Sequence, residues 1–132
     1  MKNILLLSIA LLTTLSAELI NKYPTKEFLN SKIPIVDIRT PPEWIETGLV
    51  KDAIPIMFFD QRGAFNLNAF LKELNQKVDT KKPFALICRT GSRTSIVGDY
   101  LSKELNYKVV NILGGMVYIK SKKLQIIPYK AK

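Results

Sequence analysis

One cysteine stands in a stretch whose neighbours could activate it. Cys88 ends the apolar run FALIC, and the polar sequence RTGSRT follows it with one glycine and two arginines. Glycine adopts left-handed backbone angles at little cost, so this loop can curl until several backbone N–H groups point at the sulfur. Those groups, the positive end of a following helix and the side chains of Arg89 and Arg93 all favour a thiolate, the nucleophilic form of cysteine. The spacing therefore predicts a nucleophile beside a site for an anion.

The alternative is that Cys88 is a small apolar residue at the end of a buried strand, where free cysteines are common. A core residue does not require Arg-Thr-Gly-Ser-Arg after it, so we favour the nucleophile. The chain has one cysteine and no histidine. This composition excludes an internal disulfide, Ser-His-Asp and Cys-His catalysis, histidine metal sites and zinc sites built on several thiolates.

Short apolar runs alternate with segments of helical periodicity on both sides of the loop. Such alternation predicts parallel strands joined by helical crossovers, which is an α/β domain with helices on both faces of its sheet. Ligands of such sheets bind beyond the carboxyl ends of the strands, which is where Cys88 lies. The predicted strands are residues 33–39, 53–59, 82–88 and 107–113. One predicted helix is PPEWIET, and a second contains Leu67, Phe70, Leu71 and Leu74 at helical spacing. A third follows the loop, with Ile96, Val97, Tyr100, Leu101 and Leu105 on one face.

The first 17 residues have the pattern of a secretory signal peptide. They contain a basic Lys2, an apolar stretch from Ile4 to Leu12 and a small-residue end at Ser16 and Ala17. The apolar stretch is too short to span a bilayer comfortably, which takes about 20 residues. We therefore predict that residues 1–17 are removed near Ala17 and that residues 18–132 act in the periplasm as one domain; the alternative is an uncleaved membrane anchor.

The formal net charge of +9 favours anionic partners. The lysines are scattered, and no basic stripe interleaves with aromatic residues, so nucleic acid is not a predicted partner. A small anionic substrate or a membrane surface fits this charge better.

Three segments resemble, in the same order, those of single-domain rhodaneses, a family of sulfurtransferases. They are IVDIRTPPEWIETGLVKDAIPI, ICRTGSRTSIVGDYL and VVNILGGM, which cover most of residues 33–120. The resemblance implies a doubly wound α/β domain around a central five-stranded parallel sheet. It also implies that Cys88 takes sulfane sulfur from thiosulfate or polysulfide as a persulfide and passes it to a thiol or a cyanide-like acceptor. It implies no metal and no organic cofactor.

The resemblance assigns roles to further residues. The backbone amides of the loop would cradle the persulfide, and Arg89 and Arg93 would attract the anionic donor. Asp37 and Arg39 carry over as a supporting pair, mainly structural, with Arg39 also able to reach the site; the alternative for them is an ordinary charged cluster at a strand end. The loop residues assigned to substrate binding are Arg89, Thr90, Gly91, Ser92, Arg93 and Thr94.

The chain departs from the family pattern at two places. Where the family usually has Gly-His-Ile-x-Gly-Ala, this chain has Gly-Leu-Val-Lys-Asp-Ala at residues 48–53. The tryptophan usual after the Gly-Gly turn appears as Ile119, whereas Trp44 occupies the earlier aromatic position. We expect Trp44 to serve core packing.

Three other functions compete with catalytic sulfur transfer. A non-turnover sulfur carrier or binding module, which hands sulfur to a protein acceptor, would use the same cysteine. Cysteine phosphatases and arsenate reductases place an arginine six residues after the cysteine, but that position is Thr94 here and the loop is one residue shorter. A redox role would require a partner thiol, because the chain has no second cysteine.

Overall fold

The computed structural model describes residues 16–132. The predicted signal peptide rests mainly on residues 1–15, which lie outside the described part, so it stays a prediction. Within residues 16–132, no helix has both the length and the apolar character that a membrane crossing requires.

Five parallel strands form the central sheet in the order β1-β6-β5-β2-β4. β5, which leads to Cys88, therefore lies in the middle of the sheet, between β6 and β2. The strands are β1 (Ile20–Lys22), β2 (Ile35–Asp37), β4 (Ile54–Pro55), β5 (Phe84–Ile87) and β6 (Val109–Ile112).

Helices cover both faces of this sheet, and successive residues of β5 point into opposite layers. Phe84 and Leu86 belong to a core that includes residues of α3 and α4, whereas Ala85 and Ile87 belong to a second core with residues of α1 and α5. This arrangement confirms the doubly wound α/β fold with a five-stranded parallel sheet. The helices are α1 (Lys26–Leu29), α2 (Pro41–Thr47), α3 (Leu67–Lys77), α4 (Ser92–Leu105) and α5 (Gly115–Ser121).

Several predicted boundaries were wrong in detail. The predicted strand 53–59 is reduced to Ile54–Pro55 at the sheet edge, although the N–H groups of Ile56 and Phe58 still donate to the carbonyls of Asp37 and Ile38 at 3.0 and 3.1 Å. β1 was not predicted as a separate strand, since its three residues are all exposed and show no apolar pattern. On α4, Ile96 is 66% exposed and lies outside the buried face, which Val97 and Leu101 form.

A second, two-stranded sheet joins distant parts of the chain. β3 (Leu49–Val50) pairs antiparallel with β7 (Ile126–Ile127), close to the C-terminus. Just beyond β7, the ring of Tyr129 packs edge-on against Trp44 at 5.6 Å between ring centroids. The basic C-terminal segment is therefore attached to the region around α2.

Candidate active site

Cys88 follows β5 directly and lies at the carboxyl edge of the sheet. Its side chain is fully buried. The apolar residues of β5 alternate between the two cores and fix the end of the strand, so the position of the sulfur is set by the most buried element of the molecule. The loop that follows determines what can reach the sulfur.

This loop turns its backbone toward the sulfur. Gly91 has φ of 98°, a left-handed conformation that favours glycine, and its N–H donates to Cys88 Sγ at 3.1 Å. α4 begins at the next residue, so the amides of its first turn lack intrahelical acceptors. Within residues 16–132, the amides of Ser92, Arg93 and Thr94 have no other backbone acceptor either. The N–H of Gly91 is thus bonded to the sulfur, and the three amides that follow it in the chain start α4 without backbone acceptors among the described residues.

A glycine pair at the start of α5 supports the loop after Cys88. Gly114 and Gly115 start α5, whose first amides hold the loop: Met116 N–H donates to the carbonyl of Cys88 at 2.9 Å, and Val117 N–H donates to that of Arg89 at 3.0 Å. These bonds orient the peptides that follow Cys88. Gly115 has φ of 55°, and a Cβ there would collide with the carbonyl of Cys88 and approach that of Arg89 to 2.6 Å. The Gly-Gly turn is visible in the sequence, but no local signal there places it against the loop after Cys88.

Buried polar side chains form a hydrogen-bond network next to Cys88. The hydroxyl of Thr94 lies 3.5 Å from Cys88 Sγ and 3.1 Å from the carbonyl of Gly91, and it hydrogen-bonds Asn111 Oδ1. Asn111, on β6, donates in turn to Asn21 Oδ1 at 3.0 Å. Thr94 and Asn111 are almost fully buried. Asn111 was missed in the sequence, where a polar residue inside the apolar run VVNIL was the available signal.

The two arginines of the loop have different surroundings. Arg93 forms a bidentate ion pair with Glu43 of α2, at 2.7 Å (Nη1 to Oε1) and 2.8 Å (Nη2 to Oε2). These hydrogen bonds, with the charge of Arg93, lower the pKa of Glu43 to about 2 against the opposing effect of burial. The pKa of Arg93 is raised, first by Glu43 and to a lesser extent by Cys88 and Asp37. Arg89 is exposed and forms no ion pair in the described chain.

The remaining loop residues are oriented outward. Thr90 and Ser92 are exposed, and their hydroxyls lie 3.4 Å apart. Of the six loop residues assigned to substrate binding, Gly91 and Thr94 contact the sulfur through the N–H of Gly91 and the hydroxyl of Thr94. Glu43, which holds Arg93, was not predicted, because it lies 50 positions earlier in the chain.

Asp37 and Arg39 form a buried ion pair under α2. Arg39 Nε and Nη2 donate to the two carboxylate oxygens of Asp37 at 2.9 and 2.8 Å, and both side chains are at most 1% exposed. Other hydrogen bonds of Arg39 go to Thr47 and to the carbonyl of Gly48, and the indole N–H of Trp44 donates to Asp37. The guanidinium is thus directed toward the C-terminal end of α2 and makes no hydrogen bond to the loop after Cys88 in the described chain, so that its reach to the site stays a prediction.

The comparisons with known proteins agree with this geometry. The family model described as "Rhodanese-like domain" matches residues 17–122. The chain belongs to the rhodanese-like domain family. It is 28% identical over 88 residues to the Bacillus subtilis protein YtwF, described as "Putative sulfurtransferase", and this alignment covers 67% of the present chain and 74% of YtwF.

Solved rhodanese-like structures share the fold. The solution structure of the polysulfide-sulfur transferase homodimer of Wolinella succinogenes superposes with a TM-score of 0.62 at 22% identity, over 83% of this chain and 78% of that chain. A rhodanese-related protein of Thermoplasma volcanium superposes with a TM-score of 0.57 at 21% identity, over 85% and 99% of the two chains.

The structure also shows where the residues lie at which this rhodanese-like domain differs from the usual family sequence. Asp52 stands where the family usually has a glycine, and it adopts a left-handed φ of 64°. Leu49 and Val50, in place of the usual His-Ile, form strand β3 against β7. Ile119, in place of the usual tryptophan, lies on α5 and is fully buried in the core, whereas Trp44 is buried next to Tyr129.

Proposed function

We propose that this protein is a sulfurtransferase that carries sulfane sulfur on Cys88 as a persulfide. The observation that carries the proposal is the N–H of Gly91, which donates to Sγ at 3.1 Å immediately before the first turn of α4. Preorganised N–H groups stabilise negative charge on sulfur, both in the attacking thiolate and in the outer sulfur of a persulfide. The sulfurtransferase description of YtwF and the polysulfide-sulfur transferase of Wolinella succinogenes support the same chemistry.

The reaction has two displacement steps. The Cys88 thiolate attacks the sulfane sulfur of the donor, and the S–S bond of the donor breaks with its electron pair on the leaving group, which is sulfite when thiosulfate is the donor. A thiol or cyanide then attacks the outer sulfur of the Cys88 persulfide. That S–S bond breaks with its electrons on Cys88, which regenerates the thiolate. Neither step requires a proton from a side chain, which agrees with a site that lacks histidine.

The alternative of phosphate-ester hydrolysis is less well supported. A phosphatase needs an arginine that clamps the phosphate oxygens beside the cysteine thiolate. The loop arginine nearest that position, Arg93, is held by both oxygens of Glu43. The residue six positions after the cysteine, Thr94, has a short hydroxyl that turns back to the sulfur.

The test is the intact mass of the reduced protein after incubation with thiosulfate or with tetrasulfide, beside the variant Cys88→Ser. We expect the parent protein to gain one sulfur atom and the variant to gain none. Cyanide should then remove the added sulfur and release thiocyanate. Gain from tetrasulfide without repeated turnover would indicate a carrier, and no gain from either donor would overturn the proposal.

We also propose that the protein acts in the periplasm after removal of its first 17 residues. The basic, apolar and small-residue pattern of this segment supports the proposal. The mass of the full-length gene product recovered from a bacterial periplasmic fraction tests it. A chain that begins near Glu18 is expected, and an unprocessed chain retained in the cytoplasm would contradict it.

A further inference from the structure

The positive charge of Arg93 is neutralised in this site. Arg93 and Glu43 contact each other through two parallel hydrogen bonds of 2.7 and 2.8 Å, and their side chains are 25% and 24% exposed. Bidentate pairs of this geometry are the strongest kind of arginine–carboxylate contact. An incoming anion would therefore have to compete with a carboxylate that already occupies the guanidinium.

Glu43 is itself held in place, which makes this competition difficult. Its Oε1 accepts hydrogen bonds from the amide of Thr40 at 3.3 Å and from the hydroxyl of Thr40 at 3.0 Å. The hydrogen bonds from Arg93 keep the pKa of Glu43 at about 2, so the carboxylate stays ionised at neutral pH. To move away from Arg93, the carboxylate of Glu43 would have to break its hydrogen bonds to Arg93 and to the amide and hydroxyl of Thr40. Protonation does not assist this release at neutral pH, because the carboxylate is ionised there.

The positive charge that remains near the sulfur, after Arg93 is paired, favours a sulfur donor with a small negative charge. With Arg93 and Glu43 summing to zero, Arg89 is the one loop arginine without an ion pair in the described chain, and it is exposed. Thiosulfate is a compact dianion. The persulfide of a thiol, or one end of a polysulfide, brings a single negative charge at the sulfur that enters the site. A dianion gains twice as much from each neighbouring positive charge as a monoanion, so it also loses twice as much when that charge is neutralised.

We propose that Glu43 is a positioning residue that sets the donor preference by holding Arg93, so that this site takes sulfur from donors that bring a single negative charge into it in preference to the dianion thiosulfate. The inference rests on the proposed sulfur transfer and narrows its donor class. It assigns a role to a residue that does not touch the substrate and acts through the charge of Arg93.

Methanethiosulfonate is a suitable probe, because it differs from thiosulfate by a methyl group in place of one anionic oxygen. The Cys88 thiolate attacks its outer sulfur, the S–S bond breaks with its electrons on methanesulfinate, and the same Cys88 persulfide results. Thiosulfate gives that persulfide and sulfite. The two donors therefore differ in charge while they deliver the same atom to the same position.

The experiment compares kcat/KM for thiocyanate formation from each donor in the wild type and in Glu43→Gln. Glutamine keeps the size of the side chain and can still accept from Thr40, but it leaves the charge of Arg93 unbalanced. We expect kcat/KM for thiosulfate to rise about three- to thirtyfold, with the larger value at low salt. The rise for methanethiosulfonate should be about the square root of that factor, because its charge is half as large.

Three further variants separate a charge effect from a structural one. Glu46→Gln removes an exposed carboxylate of the same helix that forms no ion pair in the described chain, and should leave the ratio of the two donors unchanged. Arg93→Gln leaves Glu43 unbalanced and should reduce thiosulfate use more than methanethiosulfonate use. The double variant with glutamine at both positions should return the ratio to that of the wild type. Circular dichroism checks that each variant is folded.

The outcomes distinguish the two proposals. If the wild type forms no persulfide with either donor, the proposed sulfur transfer fails. If the wild type transfers sulfur from both donors but Glu43→Gln changes their rates by equal factors, or Glu46→Gln shifts their ratio as much as Glu43→Gln does, sulfur transfer stands and the role of Glu43 is overturned.

Discussion

Around Cys88, the groups that can stabilise negative charge are backbone amides more than side chains. The N–H of Gly91 contacts the sulfur, whereas Arg93 is paired with Glu43 and the side chains of Thr90 and Ser92 are exposed. The N–H of Gly91 reaches the sulfur because the loop is curled, and α5 holds that curl through its hydrogen bonds to the carbonyls of Cys88 and Arg89. Substitutions that move the backbone should therefore damage the site more than substitutions of the exposed loop side chains.

Gly115→Ala tests this directly. The added Cβ would collide with the carbonyl of Cys88 at a left-handed φ of 55°. We expect a loss of about 3 kcal/mol or more in the free energy of unfolding, from backbone strain and steric conflict together. Persulfide formation by the folded fraction should slow about ten- to a hundredfold, since the amides lose their alignment.

Gly63→Ala is the matched control for that prediction. Gly63 also has a left-handed φ, of 79°, but no atom lies within 4 Å of the added Cβ. Gly63→Ala should lower the free energy of unfolding by about 1 kcal/mol and leave the rate of persulfide formation unchanged. Urea unfolding and intact mass after exposure to thiosulfate provide both readouts, and equal effects of the two substitutions would contradict a role of Gly115 in supporting the loop.

The ion pair of Glu43 should make stability depend on pH. Its carboxyl has a pKa of about 2 in the folded protein against 4.5 without these contacts, so the ionised form is favoured by folding. The contribution of this ion pair to the free energy of unfolding is fully present above about pH 4.5 and is lost as the pH falls toward 2. Between pH 7 and pH 3, the wild type should lose on the order of 1–2 kcal/mol more than Glu43→Gln, after allowance for solvent screening of a partly exposed pair.

Urea unfolding followed by circular dichroism at the two pH values measures this difference. Glu46→Gln serves as the control, since Glu46 is exposed on the same helix. If the pH dependence of Glu43→Gln equals that of the wild type, the ion pair contributes nothing to stability.

At the scale of the elements, a buried ion pair fixes α2 to the end of β2. Asp37, Arg39 and Trp44 are all buried, and Arg39 joins the carboxylate of Asp37 to the carbonyl of Gly48 at the end of the helix. The contact from Glu43 to Arg93 in turn joins α2 to α4. The position of α2 therefore determines where the carboxylate that neutralises Arg93 lies.

Arg39→Met should be strongly destabilising. It leaves the charge of Asp37 buried without a partner, at a cost of about 3–5 kcal/mol. The double variant Asp37→Leu with Arg39→Met should be more stable than the single variant by at least about 1 kcal/mol, because no buried charge remains.

An exposed ion pair provides the comparison for Arg39. Lys77 and Glu73 pair at 2.7 Å on α3 with both side chains nearly half exposed. Lys77→Met should cost less than about 1 kcal/mol. Urea unfolding of the three variants decides the matter: a double variant less stable than Arg39→Met would show that the buried charge is not the main cost.

At the scale of the whole molecule, the C-terminal segment packs against the region around α2. β7 pairs with β3, and Tyr129 lies against Trp44, whose indole is held by Asp37. This contact connects residues near the end of the chain to the helix that carries Glu43. The segment thus belongs to the packed structure around the site.

Tyr129→Ala should lower the free energy of unfolding by about 1–2 kcal/mol, through loss of the aromatic contact and of partly buried apolar area. Lys130→Ala, one residue further along and exposed, should change it by less than about 0.5 kcal/mol. Thermal or urea unfolding distinguishes them, and equal effects would show that the ring contact contributes little.

Much of the fold could be predicted, because the local patterns of the long elements were strong. The four-residue runs of β5 and β6 are fully buried, and α3 follows the apolar spacing of its leucines. The elements that were missed or misjudged are short or exposed: β1, β3 and β7 have two or three residues each. Such strands form through pairing with partners that are already in place, so their own residues carry little signal.

The strand, the left-handed glycine and the helix around Cys88 could be predicted from local sequence, since they depend on neighbouring residues and their backbone preferences. Three contacts became known only from the packed fold: which of the 11 acidic residues pairs with Arg93, where the guanidinium of Arg39 points, and that Gly115 lies against the loop. These contacts join segments that lie far apart in the chain. Their selection depends on the free energy of the whole packed arrangement, which no local pattern of residues records.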